Sequence, residues 1–320
     1  MATGLMIDGK WTHTHYKGDE KGRFMRRPTT FRNWVKADGS TSFTPDANRY
    51  HLYVSYACPW AHRTLIVRAL KGLNDSITVS VVDPFMLDDG WVFSDYPGVV
   101  RDPIFNADYL REIYAKADSQ YTGRVTVPIL WDKQTNTIVN NESREIIRMF
   151  NTEFSGITTK DWDLLPRDHV AAIDETMDKI YSPINNGVYR SGFAFSQEAY
   201  DEAVMGLFAA LDYWEGVLGK QRYLCGDQLT EADICLFTTL LRFDPVYYVH
   251  FKCNLRHLYD YPNLWGYLRD IYQIPAVKTT CNLDHIKNHY FGSHPHINPT
   301  GIVPVGPEID FDAPHDRDRF

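Results

Sequence analysis

The sequence predicts a mixed α/β half followed by an all-helical half. Three observations predict it. Strand-type patterns occur between Arg49 and Asn140. After Gly156 the apolar residues recur only at helical spacing. A chain of 320 residues is also long enough for two domains.

The elements follow in order. Residues 1–47 are polar, aromatic and irregular, including His13, His15, Tyr16, Lys17 and Gly18, and read as an extended arm. From Arg49, Tyr50, Leu52 and Val54 alternate with His51, Tyr53 and Ser55, the pattern of a half-buried strand. A turn at Ala57-Cys58-Pro59-Trp60 leads into a helix over Ala61 to Leu70, and Ile77 to Val82 is a β-branched strand. Asp83 to Pro103 is a long irregular insertion containing Trp91, the kind of loop that is usually functional or disordered. A helix over Asp108 to Ala117 follows, then strands at Val125 to Trp131 and Thr137 to Asn140, then a helix from 141–143 through Phe150. The order β-α-β-α-β-β-α implies that the first two strands are parallel and the last two form a hairpin. In the second half, Val170, Ile173, Met177 and Ile180 share a helix face, as do Val204, Leu207, Phe208, Leu211 and Trp214. Thr230-Glu231-Ala232-Asp233 is a capping box with Asp in place of Glu, and a further helix runs from Pro262 to about Gln273. After Tyr290 the tail holds 5 prolines and reads as an arm without regular structure. The divisions expected are 1–47, 48–155, 156–290 and 291–320.

Composition excludes several classes. With 33 Lys plus Arg against 41 Asp plus Glu the net charge is −8, which favours solubility and argues against a nucleic-acid binder. No run of about 18 apolar residues suits a membrane span, and Met1 to Lys10 shows no secretory pattern. The 5 cysteines (58, 225, 235, 253 and 281) are widely spaced with no Cys-x-x-Cys pair. They form neither a disulfide framework nor a zinc site, so a reducing, cytoplasmic setting is expected. The 12 histidines have no ligand spacing, and no metal is expected.

Cys58 stands apart because strand, turn, Cys-Pro and helix coincide there. Free N–H groups and the helix dipole stabilise a thiolate, which takes a cysteine from about 8.5 toward roughly 3.5–7.5. Three residues on stands Ala61, where a dithiol enzyme would carry its second cysteine. A mixed disulfide at Cys58 must therefore be resolved by an external small thiol. Pro128 within a strand predicts either a cis bond or an edge position. A cis bond would turn the Val127 backbone outward, toward an extended peptide. Ser143 reads as an N-cap, at a helix start that can also bind a carboxylate, with Glu142 positioned for an amine. Arg124 and Trp91 are further candidates for that corner. Asn185-Asn186-Gly187-Val188-Tyr189-Arg190 reads as a turn, and neither Tyr189 nor Tyr290 stands out among 20 tyrosines.

Strand-Cys-Pro-helix, Val-Pro and Glu-Ser, followed by a helical half, resemble the cytosolic glutathione transferases. Tyr56-Ala57-Cys58-Pro59-Trp60-Ala61-His62-Arg63, Asn186-Gly187-Val188-Tyr189-Arg190 and His289-Tyr290-Phe291-Gly292-Ser293-His294 resemble, more narrowly, the glutathionyl-hydroquinone reductases, or Xi class. The tail Ile297-Asn298-Pro299-Thr300-Gly301-Ile302-Val303-Pro304 does too, so the likeness covers nearly the whole chain. The resemblance implies an N-terminal thioredoxin-like domain, a C-terminal helical domain of the glutathione-transferase type, and a homodimer joined through the helical domains. It implies glutathione as co-substrate and glutathionyl-hydroquinones as substrates, with no nucleic-acid or membrane partner. It makes Cys58 the nucleophile, Trp91, Arg124, Val127, Glu142 and Ser143 glutathione contacts, and Tyr189 and Tyr290 the residues facing the hydroquinone. The rival expectations are an omega-type thiol transferase reducing dehydroascorbate, and a carrier of flat aromatic ligands without turnover.

Overall fold

A computed structural model describes the backbone of residues 2–15 and 18–320 and the side chains of 4–13 and 18–320. Met1, Tyr16 and Lys17 of the expected arm lie outside the described residues, as does the His15 side chain. The chain forms two compact units, neither continuous in sequence. One comprises Met1–Tyr16, Pro28–Trp162 and Thr280–Val303; the other comprises Lys17–Arg27, Asp163–Thr279 and Pro304–Phe320. Chain order alone does not reveal this division. The first unit takes in a helix from the far end of the sequence, and the second takes in both a piece of the N-terminal arm and the end of the tail.

The first unit opens with a hairpin where an irregular arm was expected. Strands β1 (Ala2–Ile7) and β2 (Lys10–His15) pair antiparallel across Asp8-Gly9. Both turn residues have positive φ, 47° and 75°, the conformation that Asp-Gly supplies in a two-residue hairpin. The main sheet has the order β4-β3-β5-β6, with β3 (Tyr50–Val54), β4 (Thr78–Val81), β5 (Ile129–Asp132) and β6 (Thr137–Asn140). The β3–β4 pair is parallel and the β5–β6 pair is a hairpin, as expected. Strand β3 is buried along its whole length rather than on one face, because it is an inner strand. Its polar members are satisfied: His51 reaches Thr78 Oγ1 at 2.7 Å and Ser80 Oγ at 2.9 Å, and Tyr53 donates to Asp102 at 2.9 Å. At the strand's head Arg49 forms a two-pronged ion pair with Asp132, at 2.9 and 2.8 Å, and both are buried. Helices α1 (Pro59–Leu70) and α3 (Ser143–Thr152) pack together, while α2 (Leu110–Ala117) lies against β6. Strand β5 begins only at Ile129, after the proline, not at Val125.

The second unit is helical. α4 (Val170–Ile180) runs into a wide turn at Tyr181–Asn185, closed by Asn186 N–H to Tyr181 O at 2.8 Å. Pro183 lacks the N–H that the regular ladder needs, and the wider i to i−5 bond accommodates it. The chain then re-enters a helix, α5 (Gly187–Gly192), so the segment holding Tyr189 is helical rather than a turn. α6 (Gln197–Leu218) and α7 (Glu231–Leu240) follow, and the capping box at Thr230 and Asp233 is formed. The one-turn α8 (Tyr248–His250), α9 (Pro262–Tyr272) and the short α10 (Pro275–Lys278) complete it. α11 (Leu283–Ser293), which the sequence reading did not resolve, returns to the first unit. Beyond it the tail has no regular element except a 3-10 turn at Arg317–Arg319.

Burial pushes the His51 imidazole from its ordinary 6.5 down to about 4. The unfolded chain therefore takes up this proton at higher pH than the native one. Between those values the unfolded state holds more protons, so native stability rises with pH and is lost as pH falls from 6.5 toward about 4. Urea melts across that window should show the decline, and His51→Asn should flatten it by up to roughly 3 kcal/mol. Equal pH slopes in the two proteins would count against His51 as the source.

Candidate active site

The turn from β3 to α1 is tight because Ser55 organises it. Its hydroxyl accepts the Ala57 N–H and its carbonyl accepts the Cys58 N–H, both at 3.2 Å. Cys58 occupies the N-cap with extended angles, φ −75° and ψ 120°. Pro59 is the first helical residue, where a missing N–H costs nothing. The Cys58 carbonyl already accepts from His62 N–H at 2.9 Å, so the thiol stands at the positive end of a 12-residue helix. It is half-buried, and its Sγ is 3.7 Å from the Val127 carbonyl oxygen. The Val127–Pro128 bond is cis, and β5 is an inner strand, so the edge alternative does not apply.

The start of α3 lies in the same unit. Glu142, not Ser143, is its N-cap: the Glu142 carboxylate accepts the Arg144 N–H at 3.3 Å. A carboxylate reaches the second N–H of the helix from the cap position, which leaves Ser143 as the first helical residue. The Thr29 hydroxyl also donates to Glu142, at 3.4 Å. Ser143 is buried, and its hydroxyl receives Arg63 Nη1 at 3.4 Å. The Arg63 guanidinium lies 4.3 Å from the Trp60 ring centroid, so one arginine of α1 links that helix to the start of α3. Arg124 is half-buried; its carbonyl accepts the Tyr121 hydroxyl at 2.9 Å, next to Gly123, which bridges to Met6 of β1.

Trp91 is buried in the insertion and lies nearly flat on His289 of α11, with ring centroids 5.0 Å apart at 21°. Tyr290 is fully buried beside it, its ring edge-on to His289 at 5.1 Å and to His294 at 5.9 Å. The structure thus joins Cys58 to Val127, α1 to Ser143 through Arg63, and Trp91 to Tyr290 through His289. Tyr189 belongs to the helical unit. There its ring neighbours Phe24, Phe193, Tyr247 and Phe251, with the Arg26 guanidinium 4.9 Å above it. Sequence reasoning missed Arg63, His289 and Arg26. Arg63 was in view within the Cys-Pro motif, but nothing local pairs it with Ser143. Among the described residues no group of three or more His, Cys, Asp or Glu side chains could hold a metal ion.

The other cysteines sit in different surroundings. Cys235 and Cys253 are buried, and burial pushes the Cys253 and Cys225 thiols up from the ordinary range. Brief iodoacetamide treatment of the folded protein should label Cys58 first and leave Cys253 untouched until unfolding, as read by peptide mass spectrometry. Labelling of Cys225 or Cys281 ahead of Cys58 would contradict the distinct chemistry of the α1 cap.

Comparison with known proteins gives a consistent result. The model described as glutathione S-transferase, N-terminal domain, matches residues 57–153, and that of the C-terminal domain matches residues 197–270. The chain is 55% identical to glutathionyl-hydroquinone reductase YqjG of Escherichia coli over 99% of each chain. It is 50% identical to glutathionyl-hydroquinone reductase PcpF of Sphingobium chlorophenolicum, covering 95% of this chain and 96% of the relative. Among solved structures, a Xi class glutathione transferase from Natrialba magadii superposes with a TM-score of 0.95 at 53% identity, over 99% of this chain and 97% of the other. The glutathione-bound structure of Escherichia coli YqjG gives 0.91 at 54% identity, over 99% and 100%.

Proposed function

The chain belongs to the glutathione-transferase superfamily, in its glutathionyl-hydroquinone reductase (Xi-class) branch, and from that premise we propose how its residues carry out the reaction. The enzyme uses glutathione to reduce glutathionyl-hydroquinones to hydroquinones. The observation that supports a thiol mechanism is the single cysteine heading α1, with Ala61 where a second would stand.

In the first step the Cys58 thiolate attacks the glutathionyl sulfur. The carbon–sulfur bond breaks, its electron pair stays with the ring carbon, and a proton completes the hydroquinone. Cys58 is left in a disulfide with glutathione. In the second step a further glutathione thiolate cleaves that disulfide, releasing oxidised glutathione and regenerating the Cys58 thiolate. Overall one glutathionyl-hydroquinone and one glutathione give one hydroquinone and one oxidised glutathione.

The start of α3 suits a carboxylate through its N–H groups and Glu142 suits an amine, so Ser143 and Glu142 would take one end of the tripeptide. The Val127 backbone, beside Cys58, would pair with its middle, with Arg124 and Trp91 completing the site. Tyr189 and Tyr290 would hydrogen-bond the ring oxygens and help deliver the proton. We further read the enzyme as a cytoplasmic homodimer joined through its helical domains, acting without membrane or nucleic acid. Five free thiols suit a reducing compartment. The exposed Met205 and Tyr213 on α6 are candidate interface residues. No described helix is long and apolar enough to cross a membrane.

Incubation with glutathionyl-menadiol and glutathione should release menadiol with the wild type. Cys58→Ser should lose at least about a thousandfold in kcat/KM, and Tyr189→Phe with Tyr290→Phe about a hundredfold. No release by the wild type, with turnover of dehydroascorbate instead, would favour an omega-type activity. That reading has a relative named glutathione S-transferase omega-like 2, from Schizosaccharomyces pombe, at 48% identity. Unchanged kcat/KM in the double phenylalanine variant would remove the tyrosines from the mechanism. Sedimentation should give twice the monomer mass, reduced by Met205→Glu with Tyr213→Glu; a monomeric wild type would end the dimer reading.

A further inference from the structure

One face of α11 acts on one stretch of the insertion. His285, His289 and Ser293 recur every four residues, which puts them one above another on the helix. His285 Nε2 lies 2.7 Å from the Pro97 carbonyl oxygen and His289 Nδ1 lies 2.8 Å from that of Pro84. Carbonyls only accept, so each of these nitrogens carries a hydrogen. Ser293 Oγ accepts the Met86 N–H at 2.9 Å, and Asp284 accepts the Tyr96 hydroxyl at 2.9 Å. Gly292 allows a close approach: a Cβ there would come within 2.3 Å of the Phe85 ring.

The stretch from Pro84 to Pro97 carries Trp91. From another side Trp11 donates to the Asp88 carbonyl at 3.0 Å, and the Trp91 carbonyl accepts the Leu110 N–H at 2.9 Å. These contacts hold the backbone, while His289 holds the indole itself by stacking on it at 5.0 Å. The next residue on α11 is Tyr290. Packing alone would not call for an imidazole here. A phenyl ring would stack but could not bond Pro84, and a carboxamide would bond Pro84 but could not stack.

We infer that His289 is a positioning residue of this reaction: it fixes the Trp91 indole for glutathione. The inference rests on the reading of Trp91 as a glutathione contact. A double-mutant cycle on glutathione affinity, measured calorimetrically with the full-length protein, tests it without recourse to turnover. His289→Ala should weaken glutathione binding about five- to tenfold. In a Trp91→Ala background the same substitution should add less than about twofold, because its effect passes through the indole. In turnover, KM for glutathione should rise with kcat changed by less than about threefold.

His289→Phe and His289→Asn each keep one of the two contacts and should each lose about threefold, which preserves the test if the alanine variant does not fold. Unchanged affinity in His289→Ala, or in both conservative variants, overturns the inference while Trp91→Ala still weakens binding. Losses that simply add across the cycle overturn it too, since they would reflect general destabilisation. Wild-type affinity in Trp91→Ala would defeat the glutathione-site reading itself, and this inference with it.

Discussion

The register of β3 against β5 is the constraint on which the site depends. Tyr50 faces Asp132 and Tyr53 faces Ile129, so the residues just beyond the strand ends, Cys58 on one side and Val127 on the other, meet where the ladder stops. Side chains alternate along a strand, so a slip of one residue would exchange the faces of β5 and part Val127 from the thiol. The Arg49–Asp132 pair pins the opposite end of the same ladder. Two parallel hydrogen bonds have a geometry that a shifted register cannot reproduce, and removing either partner would leave the other charge inside the unit.

With that register set, the thiol's surroundings follow from helix geometry. Pro59 starts α1, Ser55 closes the turn, and the backbone of α1 supplies positive potential at the thiol. Arg63, five residues after Cys58, contacts Trp60 and Ser143. This arrangement suits the proposed nucleophile, which would become a thiolate and then be released from a disulfide. A fixed dipole stabilises the anion without covering the sulfur. The insertion after β4 adds Trp91 to the proposed site, and α11 shapes the insertion through hydrogen bonds to backbone carbonyls rather than through apolar packing alone.

The helical unit shows how local chemistry and burial compete. Asp233 accepts from Thr230 and Leu224 backbone N–H groups, the Thr230 hydroxyl and the Tyr267 hydroxyl. Burial still pushes its carboxyl up to about 6, although every one of those hydrogen bonds pulls the other way. Asn185 plays a similar anchoring part at the wide turn, donating to the Cys235 carbonyl and to the Thr239 hydroxyl at 2.9 Å each. That anchor fastens the chain just before α5, which carries Tyr189.

The sequence by itself determined what backbone rules settle within a few residues. The Cys-Pro helix start, the Thr230 capping box, the parallel first pair and the hairpin last pair of the sheet, and the choice of Cys58 as candidate nucleophile all follow from dihedral preference, hydrogen-bond capacity and apolar period, whereas the pairing of β3 with β5 does not. The β1–β2 hairpin carried a signal of the same kind in Asp8-Gly9, but residues 1–47 read as an irregular arm. The motif likeness extended this to nearly the whole chain, and so to the reaction. Only the tertiary structure decided that Glu142 rather than Ser143 caps α3, that β3 is buried on both faces, and that α11 joins the unit that begins the chain. It also decided that His289 lies between Trp91 and Tyr290. Stacking and carbonyl contacts between distant segments carry no local signature, because the partner of a buried ring is chosen by the whole fold rather than by its neighbours in sequence.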